Sequence, residues 1–444
     1  MDISDVGVGN IRPNAPIEYG LASNFNYDDP IVIENAQDQC FGGYVRPVGG
    51  ATGDGPYQFE LPPVGDSYLM MNRMYIYLKG KITLENGGDL TETDVVAPIN
   101  CLGTSMWEHV EVNINDYPMS GATSTNSHYK SFIETTLSND YMSVNSWMQG
   151  SGYSIDTAGQ MESFTLEGEP AKSKNKGFQV RYDWVKKSKE FDMYSPINAD
   201  FLKANKFLAP GNKLSLRLYR AKDAFILCTK QDKKYKLKIM DLQLAYQRTR
   251  LREPRASIKR EVYLTTGTEL KRFPIPVGQP SYHLNIFQGA QLPKQIIIGQ
   301  VHTDAVEGSY KTNPFYFRHL DLKYLSFRVN GKPIPTDPYT PDFEKDLINR
   351  EYLSLFLNTG SLRPDRGMCI NKNQFMNGST LFALDLTPDL CNSAHLHPSE
   401  AGEVTLDIAW AKNLTTAVTI IAMCCFDEVY TKRANSNELV LHRI

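Results

Sequence analysis

Between residues 74 and 82 apolar and polar side chains alternate: Met74, Ile76, Leu78 and Ile82 share one phase, and Tyr75, Tyr77 and Lys79 the other. A period of two puts successive side chains on opposite faces, so the stretch predicts a half-buried strand. Residues 178–184, 237–246, 295–301 and 415–426 also read as strands. In KLKIMDLQLAYQ the apolar phase slips by one between Ile239 and Leu242, which predicts a bulge near Met240. Many short strands divided by Gly, Pro and Asn turns, with few helices, predict β-sandwiches or jelly rolls.

One phrase in this pattern is written twice. Val110, Val112 and Ile114 alternate into Asn115-Asp116 and then Pro118; Leu325, Phe327 and Val329 alternate into Asn330-Gly331 and then Pro333. Asn-led pairs are hairpin chemistry, and the prolines exclude a central strand directly afterwards. A polar loop follows each copy. Then comes a short amphipathic helix, marked by Tyr129, Phe132, Ile133 and Leu137 behind N-caps at Asn126 or Ser127, and later by Ile348, Tyr352, Leu355 and Phe356. A second pair follows in the same order: Pro196 then Gly211 before LSLRL, and Pro388 then Gly402 before VTLDIAW. Two features recurring in order predict a duplicated domain rather than a short-period solenoid. Residues 138–176 form a polar loop that the second copy lacks.

The 444 residues suit two such domains of about 200 residues each. Residues 1–56, rich in Asn, Asp, Gly and Pro, read as an N-terminal arm able to order on a neighbouring subunit. Residues 57–251 and 258–432 are the two domains, 252–257 the joint with Pro254 in it, and 433–444 a C-terminal tail. Apolar residues at 41% and charged residues at 22% exclude a disordered or fibrous chain. A net charge of −3 supplies no global field for nucleic acid, so any such contact is local. The N-terminus shows no secretory signal, the longest apolar run is too short for a bilayer span, and seven scattered cysteines suggest reduced thiols in an intracellular setting.

Catalytic chemistry is sparse. GVGN at residues 7–10 lacks the strand and helix of a phosphate cradle. His395-Leu396-His397 has no supporting HExxH or CxxC and reads as a loop pair without metal. Cys424 and Cys425 point to opposite faces of a strand and read as small apolar residues. Asp304, Glu307, Asp385 and Asp389 could furnish a glycosidase pair across a cleft, but turn caps are the commoner use of such acids. The runs KSKNK, KKSK and KQDKKYKLK fit a solvated strand face or local phosphate contact. Arg248, Arg250, Arg252, Arg255, Lys259 and Arg260 form a candidate nucleic-acid-facing cluster. Tyr141, Trp147, Met148 and Tyr153 are large for a solvated loop, and fit either a contact between subunits or a cap on their own sandwich.

The segments LPKQIIIGQVHTDAVEGSYKTNPFYFRHLDLKYLSFRVNGKPIP, REYLSLF and STLFALDLTPDLCNSAHLHPSEAGEVTLDIAWAKNL, with DSYLMMNRMYIYLKGKI, VEVNINDYPMS and KIMDLQLAYQRTRL more loosely, resemble the major capsid proteins of polinton (Maverick) elements and adintoviruses. The resemblance runs from about residue 57 to residue 432. It implies an all-β fold of two fused jelly-roll β-sandwiches, a hexon-like double jelly roll with short accessory helices. It further implies a homotrimer forming pseudo-hexagonal capsomers of an icosahedral shell, with neighbouring capsomers, penton and minor capsid proteins and packaged double-stranded DNA as partners. The place of action would be the virion, assembled inside the host cell. The family brings no catalytic residues, cofactor or metal. The chain departs from the family at the joint, where residues 252–261 are short and proline-broken instead of a longer helical connection. The reading from another class is a glycan-binding or glycan-cleaving protein built from two jelly rolls.

Overall fold

The computed structural model describes residues 36–51, 53, 55–119, 126–168, 171–253, 258, 260–362, 367–390, 396–398, 400–433, 436 and 438–443. Sixteen strands carry the architecture. In the first half they are β1 (Gln37–Val45), β2 (Tyr57–Leu61), β3 (Tyr75–Leu84), β4 (Trp107–Ile114), β5 (Tyr117–Pro118), β6 (Phe191–Pro196), β7 (Leu214–Arg220) and β8 (Tyr235–Leu251). In the second they are β9 (Arg260–Ile275), β10 (Ser281–Gly289), β11 (Gln295–His302), β12 (Leu322–Val329), β13 (Lys332–Tyr339), β14 (Leu381–Asp385), β15 (Gly402–Trp410) and β16 (Val418–Arg433).

The first half forms sheets in the order β1-β8-β3-β6 and β2-β7-β4-β5; the second forms β9-β16-β11-β14 and β10-β15-β12-β13. Adding eight to each strand number converts one half into the other. Within each half nearly every connection changes sheet, which is the winding of a jelly roll. The chain is thus two jelly-roll sandwiches in succession.

The duplicated phrase holds at the level of single residues. Asn115 (φ 52°) with Asp116 (φ 70°), and Asn330 (φ 49°) with Gly331 (φ 79°), adopt the left-handed conformations of a two-residue hairpin turn. Asn113 then faces Pro118 and Arg328 faces Pro333, with both prolines on edge strands where a missing N–H costs no ladder bond. Each turn asparagine is held alike: Lys213 N–H donates to Asn115 Oδ1 at 2.9 Å, and Glu403 N–H to Asn330 Oδ1 at 3.0 Å. This fixes Lys213 as the counterpart of Glu403. Gly402 therefore corresponds to Asn212, and Gly211 lies one residue earlier. The two glycines serve different ends, since Gly211 turns at φ 82° whereas a Cβ on Gly402 would fall 2.4 Å from Asn330 Oδ1.

Alternation packs each sandwich. Leu214, Leu216 and Leu218 of β7, Ile76 and Leu78 of β3 and Trp410 of β15 are all buried in the core, where Trp410 donates its indole N–H to Gln300 Oε1 at 2.9 Å. The bulge expected near Met240 is present as a register shift between Ile239 and Asp241. The helices expected after β5 and β13 are α1 (Ser127–Ser138) and α3 (Asn349–Asn358).

Three expectations need correcting. Residues 178–184 are not a strand but lie in helix α2 (Lys176–Val185), started by Asn175 Oδ1, which accepts the N–H groups of Gly177 and Phe178. Residues 37–45, placed in the arm, are the edge strand β1. Its exposed side chains leave backbone pairing with β8 to seat it. Residues 440–443, placed in the tail, pair antiparallel with Glu428–Thr431 of β16. Residues 254–257 of the joint lie outside the described residues.

Candidate assembly surfaces

From Val418 to Tyr430, β16 is buried without interruption, so both faces of its sheet are covered. One face is the sandwich core. Against the outward face lies α1 of the first half, with an aromatic cluster between them. Phe132 stacks on Phe315 with centroids 4.1 Å apart, Tyr129 meets Phe315 edge-on at 5.8 Å, and Phe317 fills the space above Gly299, where a Cβ would come within 2.5 Å of it. His128 packs against Phe225 at 4.3 Å with no hydrogen bond to either ring nitrogen; burial lowers its pKa to about 3, and nearby Arg272 adds to the effect.

Beside the aromatics the seam is polar and paired. Lys130 of α1 bonds Asp200, whose Oδ2 accepts the Thr268 N–H of β9 at 2.9 Å. The Tyr430 hydroxyl donates to the Met119 carbonyl at 2.6 Å. Glu428 is buried, which raises its pKa; Arg443, reaching in from the C-terminal strand, donates to it at 3.0 Å and to Glu269 at 2.6 Å and opposes the rise. Gly267 makes room for this carboxylate, since a Cβ there would lie 2.0 Å from its Cδ.

The residues singled out in the 138–176 loop divide. Met148 and Tyr153 are buried, and the Tyr153 hydroxyl lies 3.5 Å from Cys369 Sγ, so this part caps the chain's own seam. The Tyr141 hydroxyl donates to Gln374 Oε1 at 2.6 Å, another contact with the second half. Trp147 faces outward at 58% exposure, as does Met142 at 78%. The loop also contains the short helix Tyr141–Val144, capped by Asp140, whose side chain accepts the Ser143 N–H.

The arginine cluster is not one surface. Arg248 is buried and donates to the Pro62 carbonyl at 2.9 Å, and Arg250 pairs with Asp66 at 2.7 Å. Arg252 and Arg260 are exposed, while Arg255 and Lys259 lie outside the described residues.

Of the histidine pair, His395 is outside the described residues and His397 Nε2 lies 3.1 Å from Asp389 Oδ1. Asp304 and Glu307 share the short helix Thr303–Glu307. Asp385 Oδ1 accepts the Thr387 N–H and hydroxyl at 2.9 and 2.7 Å, which is a turn cap. Asp385 and Asp427 line a depression of about 430 Å³, but Asp427 is paired with Lys294 at 2.6 Å, so the two do not act as opposed carboxylates. Among the described residues no three His, Cys, Asp or Glu side chains gather as a metal site, and the six cysteines have no disulfide partner. Burial pushes the thiols of Cys424 and Cys425 up to about 12. No helix among the described residues is long and apolar enough to cross a membrane.

No family model matches the chain. A relative from Caenorhabditis elegans, described as an uncharacterized protein, is 24% identical over 359 residues, covering 76% of this chain and 81% of the relative. Among solved structures, the chain is similar to one from the Sputnik virophage (TM-score 0.61, 11% identity, 97% of this chain and 93% of that one). It is also similar to the Faustovirus major capsid protein (0.58, 9%, 90% and 92%). The mavirus major capsid protein gives 0.55 at 10% identity, with 98% and 97% covered. The likeness spans both sandwiches, so the fold is the double jelly roll of these proteins.

Proposed function

We propose that the chain is a viral major capsid protein of the polinton and adintovirus kind. It acts in the virion as a homotrimer whose six jelly rolls make a pseudo-hexagonal tile of an icosahedral shell. The observation that carries this reading is the repeated strand order, joined through a covered seam: two like wedges per chain allow a near-sixfold outline from a threefold axis. Fold likeness over nearly the whole length of two viral major capsid proteins supports it. Closed cyclic symmetry lets identical chains bury matching surfaces without open growth, and an obligate contact of this sort buries on the order of 2,000 Å² or more. Neighbouring capsomers, penton and minor capsid proteins and packaged double-stranded DNA would be its partners. Among the described residues the candidate acids Asp385 and Asp427 serve a turn cap and an ion pair, which does not favour the glycan-cleaving reading.

Light scattering on the purified protein tests this, followed by electron microscopy. A discrete trimer that forms larger shells is expected. A stable monomer of 50.1 kDa at micromolar concentration across salt conditions would overturn it.

A further inference from the structure

Equivalent parts of the two halves are unequally covered. Helix α1 follows β5 and lies over the outward face of the second half's sheet, with most of its length buried. Helix α3 follows β13 at the same point of the winding. It is tied to its own half by buried Glu351 and Leu355 and by Asn358 Nδ2, which donates to the Ala383 carbonyl at 2.8 Å. Yet Leu353 and Leu357, one turn apart, are 46% and 52% exposed, and Leu347 and Leu362 beyond the helix ends are 65% and 53% exposed. An amphipathic helix with a second apolar edge in water is a surface awaiting cover.

Among the described residues, the face that would match it is uncovered as well. The outward face of β1-β8-β3-β6 is the counterpart of the one α1 covers, and it carries Tyr44, Tyr75, Tyr77 and Tyr194. Tyr44 and Tyr75 flank Ala245 in register, Tyr77 is opposite Tyr194, and Tyr75 stacks on Tyr194 at 5.0 Å. Tyr44 and Tyr194 are 64% and 42% exposed. In the second half the same face presents buried Ile297, Val301 and Met423, having already received its helix. Tyrosine suits a face that meets water first and protein later, because its ring buries area while its hydroxyl stays solvated.

We propose that α3 of one chain docks on the tyrosine face of a second copy, as α1 docks on the second half within the chain. This rests on the capsomer reading and assigns the surfaces that close the ring. The duplication itself names the occupant: it leaves one helix and one sheet face over, at opposite roles in the same contact. Such a joint is heterologous, with two different patches meeting head to tail, and it closes only as a ring.

The test pairs two variants of the full chain, Leu353→Asp with Leu357→Asp on the helix, and Tyr44→Asp with Tyr194→Asp on the face, each checked for fold by circular dichroism. Each alone should lose the trimer and run as a monomer of 50.1 kDa. Mixed in equal amounts they retain one good helix and one good face between them, and should form a dimer and nothing larger. Should either double variant not fold, Leu357→Lys and Tyr194→Lys alone serve, with trimer dissociation at lower dilution as the readout. Folded variants that stay trimeric would overturn this assignment and leave the capsomer reading standing. A native chain that is itself monomeric would overturn both.

Discussion

Asn115 and Asn330 carry the clearest single-residue argument, because each occupies a left-handed turn and accepts a backbone N–H from the neighbouring strand's approach. Replacing either by Ala removes that bond and the polar side chain that makes the left-handed conformation easier for Asn than for Ala. Each substitution should cost about 1–2 kcal/mol in urea unfolding. His128 gives a pH prediction. Its folded pKa is about 3 against an ordinary 6.5, so below pH 6.5 the unfolded chain takes up a proton that the folded chain refuses. Stability should therefore fall as pH drops from 6.5 toward 3, by up to about 1.4 kcal/mol per unit from this group. His128→Phe keeps an aromatic ring against Phe225 and should flatten that slope, read from unfolding midpoints at pH 7 and pH 5; an unchanged slope would refute the assignment. The turn asparagines were legible in the sequence because hairpin chemistry is local. The burial of Arg248 and the pairing of Arg250 with Asp66 were not, since neither partner segment is near in sequence.

Among the elements, the strands with one wet face were readable from their alternation, and α1 and α3 from their helical spacing. Helix α2 was misread because Phe178, Val180, Tyr182 and Trp184 alternate as a strand would, while the contacts that decide the matter are distant. Arg181 is buried against Asp156 at 2.8 Å and donates to the Pro98 carbonyl, and Asn175 caps the first turn. The 138–176 segment was read as polar, yet its large side chains serve two purposes. Tyr153→Ala should cost about 3–5 kcal/mol because it empties a buried site against Phe132, whereas Trp147→Ser should change monomer stability by less than about 0.5 kcal/mol. Denaturant titration of both variants decides this, and equal costs would contradict the division of the loop. Gly267→Ala in β9 should destabilise more than any exposed change in that strand, since the new Cβ meets the buried Glu428 side chain and not a movable surface group.

For the molecule as a whole, the duplication was visible because both copies kept the same Asn turn and edge proline; the boundaries were less so, because β1 has no apolar alternation to announce it. Nucleic-acid contact by the exposed arginines is a separable proposal. Arg252→Glu with Arg260→Glu should lower salt-sensitive DNA retention in assembled particles and leave capsomers intact, and unchanged retention would refute it. The uninterrupted burial of β16 bears on how the chain is made. The half synthesised first presents Lys79, Asp192 and Asp241 outward, a face that water tolerates, whereas the half synthesised second brings a sheet whose strand β16 is buried on both sides from Val418 to Tyr430. Translation order thus supplies the cover before the surface that needs it. A circular permutant that begins at β9 and ends at β8 should reverse this order, and emerge from the ribosome as an aggregation-prone nascent chain in spite of an unchanged set of final contacts.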